Sequence, residues 1–373
     1  MRIPLSAPDI DEDDIEAVVR VLRGPRLSLG PVMDEFEREF AKYIGAPDAV
    51  AVSSGTAGLH VALLAFGIGA GDEVIVPSFT FIAAANVIRY VGATPIFADI
   101  DAVTLNMEPV CVERAITPRT RALMIVHTFG CPADLGALLE IASRHGLKVI
   151  EDACEAIGAE YWGRRVGTFG DAAVFAFYPN KQITTGEGGM VAVRDAAVAA
   201  SIRALRNQGR RPGDDWLEHS ELGYNYRISE INCALGLAQL RRIDSILERR
   251  REIAKEYDAL LRGSPDLVLP RLSAPKATIS WFVYVVRLGA SFDNSDRDAV
   301  RLALTARGIG CGRYFAPIHL QAAYRQLPSA AVPLPITEFQ AERTLALPFF
   351  NRIKSGQIEE VCKALLGTLD ELR

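Results

Sequence analysis

Short apolar segments alternate with helical segments through the first part of the chain, and this alternation constrains the fold more than any other feature. The predicted strands are residues 49–53, 73–76, 94–98, 122–127, 148–152, 172–177 and 190–193. The predicted helices are residues 11–23, 31–44, 57–67, 81–91 and 135–145. Strands that are apolar on both faces and are separated by helices predict an α/β fold. Its central sheet is mostly parallel, with helices on both faces.

The second part of the chain has a different pattern and predicts a second unit. Residues 203–220 are polar and glycine-bearing, which predicts a long surface loop near the functional site. One long helix is predicted over residues 229–261, before a strand and two helices at 281–288, 296–307 and 357–369. Because 373 residues exceed one ordinary core, we expect a large domain over residues 1–240 and a smaller C-terminal α/β domain over residues 241–373.

Charge and cysteine content exclude several classes of function. The net charge is -5 and no basic run occurs, which argues against nucleic acid or an anionic membrane as the main partner. The six cysteines are scattered singly, so no metal site and no disulfide framework is predicted. The N-terminus is acidic without an apolar signal core, and no apolar stretch is long enough to span a bilayer. We therefore expect a soluble, reduced, cytoplasmic protein.

A glycine-containing turn follows the first predicted strand, in the segment VAVSSGTAGLH. Ser53 and Ser54 lead into Gly55 and Thr56, where a helix begins at once. The free N–H groups at a helix N-terminus and its positive dipole end favour a phosphate, and glycine lets a phosphate approach the backbone. The alternative is a serine or threonine N-cap that serves only the helix.

An aspartate ends the predicted strand in KVIEDACEA. Asp152 lies at the exit of a buried strand, where an unpaired carboxylate is unfavourable, so it needs a cation or several hydrogen-bond donors. A protonated pyridine nitrogen meets that need, and the carboxylate keeps such a ring protonated. The alternative is an aspartate that caps the next helix.

A lysine follows the next apolar strand in AAVFAFYPNKQITTGEGGMVAV. Lys181 comes after a short loop and before a glycine-rich segment, at an edge of the sheet where ligands of open α/β folds bind. Burial favours the neutral amine that forms a Schiff base. A solvated loop lysine is the alternative for this motif alone, but the three motifs together favour one cofactor site.

These motifs resemble those of the DegT/DnrJ/StrS aminotransferase family, and the resemblance covers nearly the whole chain. The matching segments include SSGTAGLH, GDEVIVPSFTFIAAAN, VIEDACEAIGAEYWGRRVGTFGD, NKQITTGEGG and LGYNYRISEINCALGLAQL. The family implies the pyridoxal-phosphate-dependent transferase fold of type I. It also implies transfer of an amino group from an amino acid, usually glutamate, to a keto sugar nucleotide in polysaccharide or deoxyamino-sugar biosynthesis. Perosamine synthases of this family resemble the chain at EDACEA and NKQITTGEGG, which favours a 4-keto-6-deoxy sugar.

The resemblance also implies roles for individual residues. Lys181 forms the Schiff base with pyridoxal phosphate and moves the proton, while Asp152 pairs with the pyridine nitrogen. The implied cofactor-binding residues are Ser54, Gly55 and Thr56 at the phosphate, Phe81 stacked on the ring, Glu155 near the phenolic oxygen, and Asn225 from a neighbouring subunit. The implied substrate-binding residues are His319, Arg227 and Arg313. A homodimer with shared active sites follows from the role of Asn225.

Two positions depart from the family pattern. The family commonly has serine where this chain has Ala176, so a phosphate hydrogen bond is missing or is replaced, for example by Ser53. Glu155 stands where glutamine or histidine is common, and an ionised glutamate would repel a phenolate. We therefore expect Glu155 to be protonated or turned away.

Several alternatives remain open at the level of sequence. A sugar dehydratase of the same family carries histidine in place of the lysine, so Lys181 argues against that activity. Synthesis of amino-cyclitols or aromatic amines stays open, and so does a regulator that binds the cofactor without turnover. The donor carboxylate has four candidate arginines: Arg210, Arg211, Arg227 and Arg313.

Overall fold

The computed structural model describes residues 1–211, 213–273 and 276–373. Its helices are α1 (Glu12–Leu22), α2 (Pro31–Ile44), α3 (Gly55–Ala65), α4 (Ala83–Tyr90), α5 (Pro109–Ala115), α6 (Leu135–His145), α7 (Ala196–Arg206), α8 (Glu230–Arg241), α9 (Ile243–Leu261), α10 (Asn294–Ala306), α11 (Pro335–Ala341) and α12 (Ser355–Leu372). Its strands are β1 (Asp48–Val52), β2 (Glu73–Pro77), β3 (Thr94–Ala98), β4 (Thr120–Val126), β5 (Lys148–Asp152), β6 (Glu160–Tyr161), β7 (Arg164–Arg165), β8 (Ala172–Ala176), β9 (Gly189–Val193), β10 (Leu267–Val268), β11 (Ala277–Thr278), β12 (Tyr284–Leu288) and β13 (Thr344–Leu347).

A seven-stranded sheet in the order β1-β9-β8-β5-β4-β2-β3 forms the centre of the molecule. β9 runs antiparallel to both of its neighbours, whereas β8, β5, β4, β2 and β3 pair in parallel. This arrangement confirms the predicted mostly parallel sheet. Because the carboxyl ends of parallel strands lie at one edge, the residues that follow β1, β2, β5 and β8 meet there.

Helices cover both faces of this sheet. One buried cluster packs α2, α6 and α8 against it, and a second packs α3, α4 and α7 against the other face. A third cluster joins α9, α10 and α12 to β12 and β13, which form a three-stranded sheet with β10. Ile3 of the N-terminal segment packs into this third cluster. The domain boundary between residues 240 and 241 stays a prediction.

Local sequence signals explain most of the helix ends. The Asp11 side chain accepts from the Asp14 N–H at 3.0 Å, and Asp14 accepts from the Asp11 N–H at 3.1 Å, so a capping box begins α1. α2 begins at Pro31 and ends before Gly45, whose φ of 82° is the left-handed conformation that glycine adopts at a helix end.

Two predicted elements are wrong. The single helix over residues 229–261 is two helices, because Arg242 leaves helical geometry (φ -112°, ψ 16°) between α8 and α9. Apolar periodicity does not reveal this break, since Leu240 and Ile243 on either side are both buried. The predicted loop over residues 203–220 begins too early, because its first four residues complete α7. Pro212 of that loop lies outside the described residues.

Several elements were not predicted from the sequence. These are α5, α7, α11, β13 and the two-residue strands β6, β7, β10 and β11. In the three described ranges, no helix is both long enough and apolar enough to cross a membrane.

Candidate active site

A cavity of about 290 Å³ opens at the carboxyl edge of the central sheet. Its lining comes from the segments that follow β1, β2, β5 and β8, together with three aromatic residues of the C-terminal part. The lining residues are Ser54, Gly55, Thr56, Leu59, Thr80, Phe81, Ala83, Val126, Asp152, Cys154, Glu155, Ala176, Tyr178, Asn180, Lys181, Glu187, Gly188, Phe282, Tyr314 and Phe315. Seven of the predicted site residues are therefore brought together. A larger groove between α1, α2 and α8 contains none of them.

Lys181 projects into this cavity from the loop after β8. Its side chain is only 13% exposed, and Nζ lies 3.6 Å from Glu155 Oε1. Nζ also lies 3.9 Å from the centroid of the Phe282 ring. Lys181 is thus a buried amine in the cavity lining rather than the solvated surface lysine that was the alternative.

Asp152 ends β5 and is buried at the same edge. Its Oδ1 accepts a hydrogen bond from the Cys154 N–H at 3.2 Å. This single backbone bond leaves capacity for a further donor, because an ionised carboxylate has about four acceptor positions. Burial and the nearby Asp152 charge raise the pKa of the Cys154 thiol well above its usual value, so Cys154 is a neutral wall of the cavity.

Glu155 combines a buried carboxyl group with a neighbouring cation. Its Oε2 accepts from the Phe129 N–H at 3.0 Å, while Oε1 is turned toward Lys181. Burial raises the pKa of Glu155, although the Lys181 ammonium and the Phe129 N–H oppose this effect. The side chain therefore faces the cavity beside Lys181 and is not turned away.

The N-terminus of α3 forms one wall of the cavity. The Ser54 Oγ accepts from the Ala57 N–H at 3.0 Å and caps the helix. Gly55 and Thr56 are its first residues, where the backbone N–H groups of a helix have no intrahelical acceptor. Ser54 therefore caps the helix and the helix end faces the cavity, while phosphate binding at this turn stays a prediction.

Gly55 is required by close packing between α3 and the sheet. A Cβ atom at this position would lie 2.7 Å from the Ala176 Cβ and 2.9 Å from the Cys154 Sγ. Ala176 lines the cavity at the end of β8, where it offers a methyl group and no hydrogen bond. Ser53, the suggested replacement for the missing hydroxyl, is not part of the lining.

Four predicted residues lie outside the cavity of this chain. Asn225 is exposed and forms a bridge with Asn207. Arg227 donates to Asn207 Oδ1 at 3.1 Å and to Gln208 Oε1 at 3.0 Å. Arg313 is 3.7 Å from an Asp298 carboxylate oxygen.

The fourth of these residues, His319, is buried by its own network. Its Nδ1 is 2.7 Å from the Ser78 Oγ and its Nε2 is 3.2 Å from Glu338 Oε1. Both ring nitrogens are thus occupied, and the side chain is 2% exposed. His319 therefore does not line this cavity, and its contact with substrate stays a prediction.

The remaining donor-carboxylate candidates also have other partners. Arg210 stacks on the Trp216 ring at 4.5 Å, and Arg211 is paired with Glu221 at 3.0 Å. Among the described residues that line the cavity, Lys181 is the single cation beside three acids, Asp152, Glu155 and Glu187.

Polar and aromatic residues of the lining that sequence reasoning missed include Tyr178, Asn180, Phe282 and Tyr314. Asn180 precedes Lys181, so adjacency alone could have indicated it. Its Oδ1 is buried without a hydrogen-bond partner in the described part of the chain. Burial and the charge of Glu155 raise the pKa of Tyr314, which keeps its hydroxyl protonated. No local signal marks Phe282.

Comparison with known proteins identifies relatives along almost the full chain. The model of the DegT/DnrJ/EryC1/StrS aminotransferase family matches residues 8–366. GDP-perosamine synthase of Caulobacter vibrioides is 41% identical over 366 residues, which is 98% of this chain and 97% of that protein.

Solved structures agree with this match. The structure of DesV from S. venezuelae, in complex with a ketimine intermediate, has a TM-score of 0.90 and 38% identity, and the match covers 98% of both chains. The PLP form of Spr1654 from Streptococcus pneumoniae has a TM-score of 0.95 and 28% identity over 100% of this chain and 99% of that one. The predicted type I transferase fold is confirmed.

Proposed function

The chain belongs to the DegT/DnrJ/EryC1/StrS aminotransferase family, and from this premise we propose that it is a pyridoxal-phosphate-dependent sugar aminotransferase. The amino donor is glutamate and the acceptor is a keto sugar carried on a nucleotide. The observation that carries the proposal is one cavity that contains a buried lysine, a buried aspartate and a helix N-terminus. The names of its relatives, a GDP-perosamine synthase and DesV bound to a ketimine, support the sugar substrate and the cofactor.

The cavity fits pyridoxal phosphate by the chemistry of its donor set. The N-terminus of α3 offers unpaired N–H groups to a phosphate, Asp152 offers a carboxylate to a protonated ring nitrogen, and Lys181 offers an amine to an aldehyde. The buried Asn180 Oδ1 has no partner among the described residues and offers an acceptor to a bound molecule. Phe81, whose side chain is 62% exposed, offers its ring face at the cavity wall.

In the proposed reaction, the cofactor and the residues of the chain have separate roles. Pyridoxal phosphate, when bound, supplies an electron sink that lets a proton leave Cα of the amino acid. Lys181 would hold the bound cofactor through its amine and, once freed by the incoming amine of the donor, would carry the proton as general base and acid. Asp152 holds the proton of the ring nitrogen, because a buried carboxylate favours a cation beside it. The same two residues would serve the amination of the acceptor ketone in the reverse direction.

Glu155 has a defined part in this scheme. Its carboxyl is buried and accepts one backbone hydrogen bond, and its pKa is raised. With the cofactor bound, a protonated Glu155 would donate a hydrogen bond to a phenolic oxygen instead of repelling it. Glutamate thereby replaces the glutamine or histidine that is common in the family.

We propose a homodimer with shared active sites on the basis of charge. The substrates are anions, yet the described lining has one cation and three acids. Asn225 and Arg227 lie two residues apart in an extended segment, so they project to the same side. Tyr224 and Tyr226 project to the other side, where their ring centroids lie 4.8 and 5.9 Å from that of His60. A second copy that presents Asn225 and Arg227 to the cavity supplies the missing donors.

A half-reaction experiment tests the activity. The purified chain with pyridoxal phosphate should absorb near ~420 nm, and glutamate should remove that band. A keto sugar nucleotide should then restore it and yield an aminated product detected by mass spectrometry. Lys181→Ala should abolish both changes, whereas Lys363→Ala, an exposed lysine on α12, should change neither. A band that ignores every amino donor would contradict the proposed function.

Complementation tests the shared site. Lys181→Ala and Asn225→Asp chains are each expected to be inactive, because Asn225→Asp places a negative charge against the phosphate. In mixed dimers one site has lost both groups and the other has neither change. Activity should therefore return on co-expression of the two variants, and its absence in verified mixed dimers would contradict shared sites.

A further inference from the structure

The amino group of Lys181 has two close neighbours of complementary character. The Phe282 ring centroid lies 3.9 Å from Nζ, and Glu155 Oε1 lies 3.6 Å from it. The electron-rich face of an aromatic ring attracts a cation, and this attraction is strongest where water is excluded. The side chains of Lys181 and Glu155 are 13% and 9% exposed, and Phe282 is 2% exposed, so water screens neither contact strongly.

Phe282 is fixed in place by a buried arginine of α9. Arg250 donates from Nη2 to the Phe282 carbonyl at 2.8 Å and from Nε to the Trp281 carbonyl at 2.6 Å. Its third contact is Nη1 to Asn351 Oδ1 at 2.7 Å. All three acceptors are neutral oxygens. Two of them are backbone carbonyls, so the guanidinium fixes the main chain that carries the Phe282 side chain.

We propose that the Phe282 ring and the Glu155 carboxyl group together form a seat for the free ammonium group of Lys181. Phe282 is then a positioning residue. Its use in turnover rests on the proposed function, in which Lys181 is attached to the cofactor in one half of the reaction and free in the other. A free lysine has four methylene groups and many rotamers. The seat keeps Nζ beside Glu155, within the cavity that Asp152 also lines, while it is detached.

The seat is distinct from a simple packing contact. An aliphatic side chain of similar size at position 282 would fill the same space, but it would offer no attraction to a cation. The interaction depends on the quadrupole of the ring, which fluorination weakens without changing the ring's shape. Graded fluorination therefore separates the electrostatic role of Phe282 from its volume.

The test is chemical labelling of Lys181 in the full-length chain without cofactor. Phenylalanine analogues with one, two or three fluorine atoms replace Phe282, and acetic anhydride labels lysines at a fixed pH. Mass spectrometry gives the labelling rate of Lys181 relative to the exposed Lys363. Because an ammonium is not a nucleophile, loss of the ring's attraction should raise the Lys181 rate stepwise, by about 3- to 10-fold at three fluorines.

The same analogues at Phe175 provide the matched control. Phe175 is 1% exposed and packs at 5.1 Å against Phe40, outside the lining of the cavity. Its fluorination should leave the Lys181 rate unchanged. Glu155→Gln should also raise that rate, because without cofactor the Glu155 carboxylate attracts the ammonium at 3.6 Å and the neutral amide does not.

The outcomes separate the seat from the proposed function. A Lys181 rate that stays flat, or falls, as fluorines are added at Phe282 would overturn the seat, and so would an equal response at Phe175. The labelling needs no cofactor. A graded response in a chain that fails to react with glutamate would support the seat and contradict the proposed function.

Discussion

Gly55→Ala is the substitution whose effect the structure specifies most fully. The added Cβ would meet the Ala176 Cβ at 2.7 Å and the Cys154 Sγ at 2.9 Å. Ordinary carbon–carbon contacts lie at ~3.5–4.0 Å, so the start of α3 must retreat from the sheet by about 1 Å. Overpacking of this kind costs about 1–3 kcal/mol, partly offset by the higher helix propensity of alanine. The expected net loss in the free energy of unfolding is about 1–2 kcal/mol.

The same shift displaces the N–H groups that face the cavity. Losing one charge-assisted hydrogen bond to a phosphate weakens binding by about 1.5–3 kcal/mol, which is roughly 10- to 100-fold in the dissociation constant. Urea unfolding measures the stability, and titration with pyridoxal phosphate followed by absorbance measures the affinity. Both should change together in Gly55→Ala.

Gly367→Ala is the matched control, and a second substitution provides a rescue. Gly367 lies within α12 with no neighbour near an added Cβ, so alanine there should stabilise the chain by about 0.5–1 kcal/mol. Adding Ala176→Gly to Gly55→Ala removes the nearest clashing atom and should recover part of both losses. The steric reasoning is refuted if Gly55→Ala is as stable as Gly367→Ala and binds the cofactor with unchanged affinity.

Three further substitutions test separate parts of the site. Ala176→Ser should tighten pyridoxal phosphate binding by about 3- to 10-fold in an absorbance titration, because it adds a hydroxyl to the lining; weaker binding would contradict the phosphate position. Arg250→Met should lower the free energy of unfolding by about 3–5 kcal/mol, since it leaves three buried oxygens without donors. Arg251→Met, at a more exposed arginine of α9, should change it by less than about 0.5 kcal/mol, and equal losses in the two variants would contradict this role of Arg250. Burial raises the pKa of Glu155 in the folded state. Its contribution to the free energy of unfolding is therefore fully present below the unfolded-state pKa, and it is lost as the pH rises through the folded-state pKa. Over that pH range, the urea midpoint of the wild type should fall relative to the midpoint of Glu155→Gln. If the midpoints of the two proteins change in parallel with pH, the result would count against a raised pKa of Glu155.

The central sheet and one wall of the site could be predicted because their signals are local. Each strand is a short apolar run, and the topology rule for parallel sheets places the residues that follow such strands at one edge. That rule brought Gly55, Asp152 and Lys181 together before any distance was known. The structure then added their contacts, above all the 3.6 Å approach of Lys181 to Glu155.

The other wall could not be predicted because it depends on packing between distant segments. Phe282 and Tyr314 reach the cavity from the C-terminal part of the chain. Their positions follow from the Arg250 contacts and from ring stacking, which leave no periodic trace in the sequence. Phe282 and Tyr314 line the cavity without a local motif, whereas His319 has a motif but does not line it. Hydrogen bonds to Ser78 and Glu338 hold the His319 ring outside the lining.

Covalent capture of the cofactor tests the role of Lys181 most directly. Borohydride reduction of the chain loaded with pyridoxal phosphate fixes the imine, and mass spectrometry of the digest locates the attached group. We predict the group on the peptide that contains Lys181, and we predict its loss when glutamate is added before reduction, because the donor amine displaces the lysine. Attachment to another lysine such as Lys148, or labelling of Lys181 that persists after glutamate, would contradict the account.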